Sequence, residues 1–158
     1  MAVIIKPPAS FVGVQKPTVF LAGTIDQGRG VEWQKRVEER LMPLDWLILN
    51  PRREAWAASW EQSIDNLNFR ELVEWELLGL ETAVLILLYF APHSQSPISL
   101  LEMGLFAHSN KLNVCCPRGF WRKGNVDIVC HRYGIPLTES FEEWLADLPA
   151  ICQNQLEE

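Results

Sequence analysis

Several kinds of segment are missing from this sequence, and each absence removes a class of function. No apolar run is long enough to cross a membrane. Residues 1–5 run into Lys6-Pro7-Pro8 rather than an extended apolar core, so no signal peptide is expected. No basic block offsets the net charge of -6, which argues against a general nucleic-acid binder. No pair among Cys115, Cys116, Cys130 and Cys152 has C-x-x-C spacing, and Cys130-His131 lacks a second pair, so neither zinc nor a disulfide framework is expected. Free thiols fit a reducing, cytoplasmic location. There is no G-x-G-x-x-G and no Walker spacing, so dinucleotide or ATP binding is not indicated.

What remains is a chain of 158 residues, 48% hydrophobic and 22% charged, enough for one compact domain with a sizeable core. Its organising stretch begins with a continuous apolar run over 83–90, bounded by Pro92, which reads as a central parallel strand buried on both faces. A loop follows, then a predicted helix over 98–108 with Ser96 as N-cap and Pro97 at the first helical position. That helix carries one acid, Glu102. Its neighbours three and four positions away are Ile98, Ser99, Leu105 and Phe106, none of them a cation. A carboxylate so placed must face a cleft or bear an uncompensated desolvation cost.

Taken in order, residues 1–16 read as an N-terminal arm, 17–150 as the domain and 151–158 as a C-terminal tail. A first strand over 16–23 ends in a turn holding Gly23, Thr24, Asp26, Gly28 and Gly30; the glycines fit a tight turn or close approach to a ligand. Trp33, Val37 and Leu41 mark an amphipathic helix over 31–42. A strand over 45–50 stops at Pro51, and a polar-aromatic connection follows with Arg52, Arg53, Glu54, Trp56 and Trp60, whose tryptophans could pack or stack on a ligand. The helix predicted over 65–80 holds a second misplaced acid. Glu76 has Leu72, Val73, Gly79 and Leu80 as its helical neighbours, whereas Glu74 has Arg70. Two such acids on helices flanking one central strand read as an active-site pair. A strand over 112–116, a short helix over 126–133, an edge strand over 135–137 and a closing helix over 138–148 complete a parallel sheet of about five strands with helices on both faces. The ligand cleft is expected at the strand C-terminal ends.

With these residues in place, the chain resembles the nucleoside 2-deoxyribosyltransferase family, a flavodoxin-like three-layer α/β/α group that includes nucleotide N-glycoside hydrolases. The most specific piece runs from Glu76-Leu77-Leu78-Gly79-Leu80 to Leu101-Glu102-Met103-Gly104-Leu105-Phe106-Ala107, with a following Asn110-Lys111 turn. The resemblance implies Glu102 as nucleophile and Glu76 in place of the family's usual base-side aspartate. It implies that the Gly23–Asp26 turn lines the nucleoside site and that Asn125 reaches a neighbouring subunit's site. It also implies a homo-oligomer. Two departures stand out: Ser96 replaces a sugar-binding acid, and Val19 replaces a tyrosine of the first strand.

The reaction so implied moves 2-deoxyribose between nucleobases, in nucleoside salvage, through a deoxyribosyl ester on Glu102. It takes a deoxynucleoside and a free base, with neither metal nor organic cofactor. Asp26, Ser96 and Asn125 are expected to bind the sugar, and Trp33, Trp56 or Trp60 to stack on the base. The alternatives are a nucleoside 5′-monophosphate N-glycosidase, with Arg29, Arg52 or Arg53 on the phosphate, and a non-catalytic nucleotide-binding domain.

Overall fold

The computed structural model describes residues 1–25, 32–52 and 60–158. Six strands, β1 (Val3–Ile5), β2 (Thr18–Gly23), β3 (Leu47–Leu49), β4 (Leu85–Tyr89), β5 (Leu112–Cys115) and β6 (Leu137–Thr138), form one all-parallel sheet in the order β1-β3-β2-β4-β5-β6. The helices are α1 (Trp33–Leu41), α2 (Leu67–Thr82), α3 (Pro97–Phe106), α4 (Lys123–Tyr133) and α5 (Phe141–Glu157).

Alternate residues of β2 and β4 feed two separate cores. Phe20, Ala22, Ile86 and Leu88 pack with Leu80 of α2, Met103 of α3 and Val126 and Cys130 of α4. Val19, Leu21, Leu85, Leu87 and Tyr89 pack with Trp33, Val37 and Leu41 of α1 and Trp144 and Leu148 of α5. The three layers explain why the β4 run shows no alternation: every residue from Leu85 to Tyr89 is buried. The fold is therefore the expected flavodoxin-like α/β, with one more strand than the five expected.

The additional strand lies in the segment read as an arm. Val3-Ile4-Ile5 is too short to declare itself in the sequence, and pairing with Leu47, Ile48 and Leu49 supplies what local propensity does not. The chain beyond it lies against α2: Trp75 Nε1 donates to the Ala9 carbonyl at 2.9 Å, and Phe11 meets the Trp75 ring edge-on at 5.5 Å. At the other end α5 runs through Pro149 to Glu157 and includes the residues read as a tail. Gln155 holds that end by donating to the carbonyls of Val84 and Asn110. Ser140 caps α5 by accepting from the Glu143 amide, and Asn66 caps α2 by accepting from Phe69.

The four cysteines are buried and unbridged. Among the described residues no helix is long and apolar enough to cross a membrane. The chain leaves β2 toward β3 on one side and β4 toward β5 on the other, so the topological switch point falls between the C-terminal ends of β2 and β4.

Candidate active site

Gly23 closes β2 with φ +138°, and a Cβ there would stand 2.4 Å from the Tyr89 carbonyl oxygen. Only glycine permits this approach of the two strand ends. Thr24 then ties the loops together. Its amide donates to Tyr89 O at 2.9 Å, its hydroxyl accepts from the Ala91 amide at 2.9 Å, and its carbonyl accepts from Trp33 Nε1 at 2.9 Å and Gln34 Nε2 at 3.4 Å. The same hydroxyl lies 2.7 Å from Ser96 Oγ and 3.2 Å from Ser94 Oγ, which are 2.9 Å apart. Ser94 spends its own proton on the Ala91 carbonyl at 2.7 Å.

Ser96 stands where an N-cap was expected, but it makes no capping bond. Its backbone is left-handed at φ 45°, and the hydroxyl turns away from the helix toward Thr24. His93, in the same loop, is also left-handed at φ 65°. Two such residues other than glycine in one short loop are a cost that a packed surrounding must impose. The serine thus links the start of α3 to the turn after β2 instead of capping the helix.

Glu76 and Glu102 come from neighbouring helices on one face of the sheet. Gly79, one turn beyond Glu76, lets α2 lie close: a Cβ there would be 2.8 Å from the Phe20 ring. Glu102 is 9% exposed and Glu76 half-buried, and neither carboxyl has a hydrogen bond or ion pair among the described residues. Burial pushes Glu76 up to about 7. Burial, then the negative charge of Glu76, pushes Glu102 up to about 8. The influence of one on the other places them within electrostatic reach, so their titrations are linked.

The other expected site residues fare differently. Trp33 is 1% exposed and packs against Tyr89 and Trp144, so it belongs to the core and offers no ring face to a base. Its indole serves the site only by holding Thr24. Asn125 is exposed in the first turn of α4, a helix that begins three residues before its expected start. Arg52 is half-buried with its amide on Asn50 Oδ1, and Trp60 is half-buried. Asp26, Arg29, Arg53 and Trp56 lie outside the described residues. Sequence reasoning passed over Ser94, which completes the hydroxyl cluster, and Ser99, which shares the buried face of α3 with Glu102. The signal for Ser99 was its spacing: Ser96, Ser99 and Glu102 fall at every third residue.

The family model described as nucleoside 2-deoxyribosyltransferase like matches residues 16–120. The chain belongs to that family. The match takes in β2, the hydroxyl cluster and both glutamates, and it stops before α4 and Asn125. No curated protein matches the chain. Membership in the nucleoside 2-deoxyribosyltransferase-like family agrees with the sheet order and with an acid on each of the two helices beside the central strand.

Proposed function

We propose that this protein transfers 2-deoxyribose between nucleobases through a covalent intermediate on Glu102. The observation that carries the reading is the pair of Glu102, buried, and Glu76, half-buried, on adjacent helices with no cation or donor to meet them among the described residues. A structural role would leave such a pair a liability.

In the first half-reaction a Glu102 carboxylate oxygen attacks C1′ of the deoxynucleoside. The bond from C1′ to the base nitrogen breaks, its electrons go to the base, and Glu76 delivers the proton that neutralises them. In the second, a nitrogen of the arriving base attacks C1′, the ester bond returns its electrons to Glu102, and Glu76 takes up the base's proton. Water in place of the second base gives hydrolysis. The chemistry needs the pair's proton on Glu76 and its charge on Glu102. Positive charge developing on the sugar ring beside Glu102 favours that distribution. Ser96 binds the sugar from the cleft wall, Asp26 and Asn125 its remaining polar groups, and Trp56 stacks on the base. Gly23 and Thr24 form the floor. A homo-oligomer completes the site.

The test is incubation with a deoxynucleoside and a different free base, with and without that acceptor, followed by chromatography. An exchanged nucleoside supports transfer. Free base alone points to hydrolysis, and no reaction to a binding domain. A second reading, N-glycoside hydrolysis of a nucleoside 5′-monophosphate, is favoured by α3 starting without a side-chain cap beside the Ser94 and Ser96 hydroxyls, where an anion is electrostatically welcome. Comparing nucleoside with nucleotide turnover separates the two. Arg52→Ala should cost tenfold or more on the nucleotide alone if Arg52 binds phosphate, following from a contact of about 1.5–3 kcal/mol.

A further inference from the structure

We infer that Ser99 is a substrate-binding residue whose hydroxyl recognises the secondary ring hydroxyl of the deoxyribose positioned over Glu102. The inference rests on the deoxyribosyl-transfer reading above and adds a contact for the sugar's 3′-hydroxyl.

Serine within a helix ordinarily satisfies its hydroxyl by bonding the carbonyl four residues back. For Ser99 that carbonyl is Gln95 O, which lies before the N-cap, outside the helix, and accepts from Trp121 Nε1 at 2.9 Å. Ser99 is 3% exposed, and its hydroxyl makes no hydrogen bond among the described residues. A buried polar group left without a partner calls for an explanation, and alanine at this position would favour the helix without leaving one. The hydroxyl is not sealed. The one fully enclosed side-chain atom without a partner among the described residues is Gln34 Oε1, so Ser99 Oγ retains an opening.

Its place on the helix says what it meets. Ser99, Glu102 and Met103 are the buried residues of α3, so Ser99 shares the buried face of the helix with Glu102. At about 1.5 Å of rise per residue, Ser99 stands about 4.5 Å along the axis from Glu102, and Ser96 about as far again. With C1′ at Glu102, the ring's secondary hydroxyl falls within one step along this row. Ser96 is tied to Thr24 and Ser94, whereas Ser99 is free to donate or accept. A 2-deoxyribose ring has one secondary hydroxyl, at 3′, and Ser99 is the group in register with it.

The test compares wild type with Ser99→Ala on a 2′-deoxynucleoside and its 2′,3′-dideoxy counterpart, using one acceptor base. The wild type should prefer the deoxynucleoside in kcat/KM. Ser99→Ala should lose about tenfold on it and less than about twofold on the dideoxynucleoside, so that the preference collapses. Equal losses on both substrates overturn the inference and make Ser99 a support for Glu102. Unchanged rates on both overturn it as well. Ser99→Cys, close in size but a weak donor, gives the same comparison should the alanine variant unfold, and thermal unfolding reports which has occurred. A wild type inert toward both substrates removes the deoxyribosyl-transfer reading itself, and this contact with it; that result differs from any effect of the Ser99 variants.

Discussion

A carboxyl group buried beside another, with no cation or amide to meet it, lowers stability wherever both are ionised. Among the described residues Glu76 and Glu102 are in that position, and the consequence can be measured. Their folded pKa values, about 7 and about 8, lie above the unfolded value of about 4.3. The stability they permit is therefore fully present below about pH 4.3 and lost as pH rises through 7 and 8. Glu102→Gln should flatten this slope and be more stable than the wild type at pH 9, by on the order of 2 kcal/mol. Urea unfolding across pH 5–9 checks it, and parallel curves for the two proteins would show Glu102 to be already satisfied. The same variant should retain less than a tenth of the wild-type rate, because an amide cannot act as the nucleophile. Where the singly protonated pair is the active form, kcat/KM should peak between the two values and fall on both sides. A flat profile from pH 6 to 9 would count against the pair.

These two residues were legible in the sequence because a helix puts neighbours three and four positions apart on one face, and that arithmetic needs no tertiary knowledge. Thr24 was legible as a member of the turn but not as its tie. The partners of its hydroxyl come from a loop about seventy residues on, and no local pattern encodes that meeting. Trp33 shows the opposite error. It was expected among the tryptophans that stack on the base, yet its spacing with Val37 and Leu41 marks a core face, and burial prevails.

Elements were read where periodicity ran long and missed where pairing decides. β2, β4 and α3 stood out, whereas β1 has three residues and exists through its partner β3. The closing helix was expected to end at 148, one residue before Pro149, which removes a donor from a helix interior. The helix continues regardless, held beyond the proline by burial of Cys152 and by Gln155. Gly79 tests how closely α2 must lie on the sheet. Alanine would add about 1 kcal/mol of helix propensity. Its Cβ would also press to 2.8 Å on Phe20, a ring with no exposed surface and no room to yield. Overpacking of this kind costs about 1–3 kcal/mol, so the clash should prevail. Gly79→Ala should lower the urea midpoint and, by lifting Glu76 from its partner, reduce turnover about tenfold or more. A variant with unchanged midpoint and rate would mean that α2 can shift without disturbing the pair.

For the molecule as a whole, the two helix layers differ in what they show to solvent. The layer of α2, α3 and α4 exposes Leu67 at 73%, Leu78 at 45%, Ile98 at 58%, Leu101 at 59%, Leu105 at 58% and Ile128 at 69%. In the α1 and α5 helices, Leu156 at 50% is the corresponding residue among the described ones. The three on α3 are spaced as one stripe, on the helix that carries Glu102. A patch of this kind on a small domain marks a contact surface, and a second copy related by a two-fold axis would cover it symmetrically. The expected outcome is a dimer or larger assembly by light scattering at micromolar concentration. Leu101→Lys with Leu105→Lys should release monomers, since charges set into an apolar contact are unpaired and desolvated. If the neighbour supplies Asn125 to the site, those monomers should fold normally and turn over poorly. Monomers as active as the assembly would make the site self-contained and remove Asn125 from it. A wild type that scatters as a monomer would remove the assembly altogether and leave the stripe on α3 for a different partner.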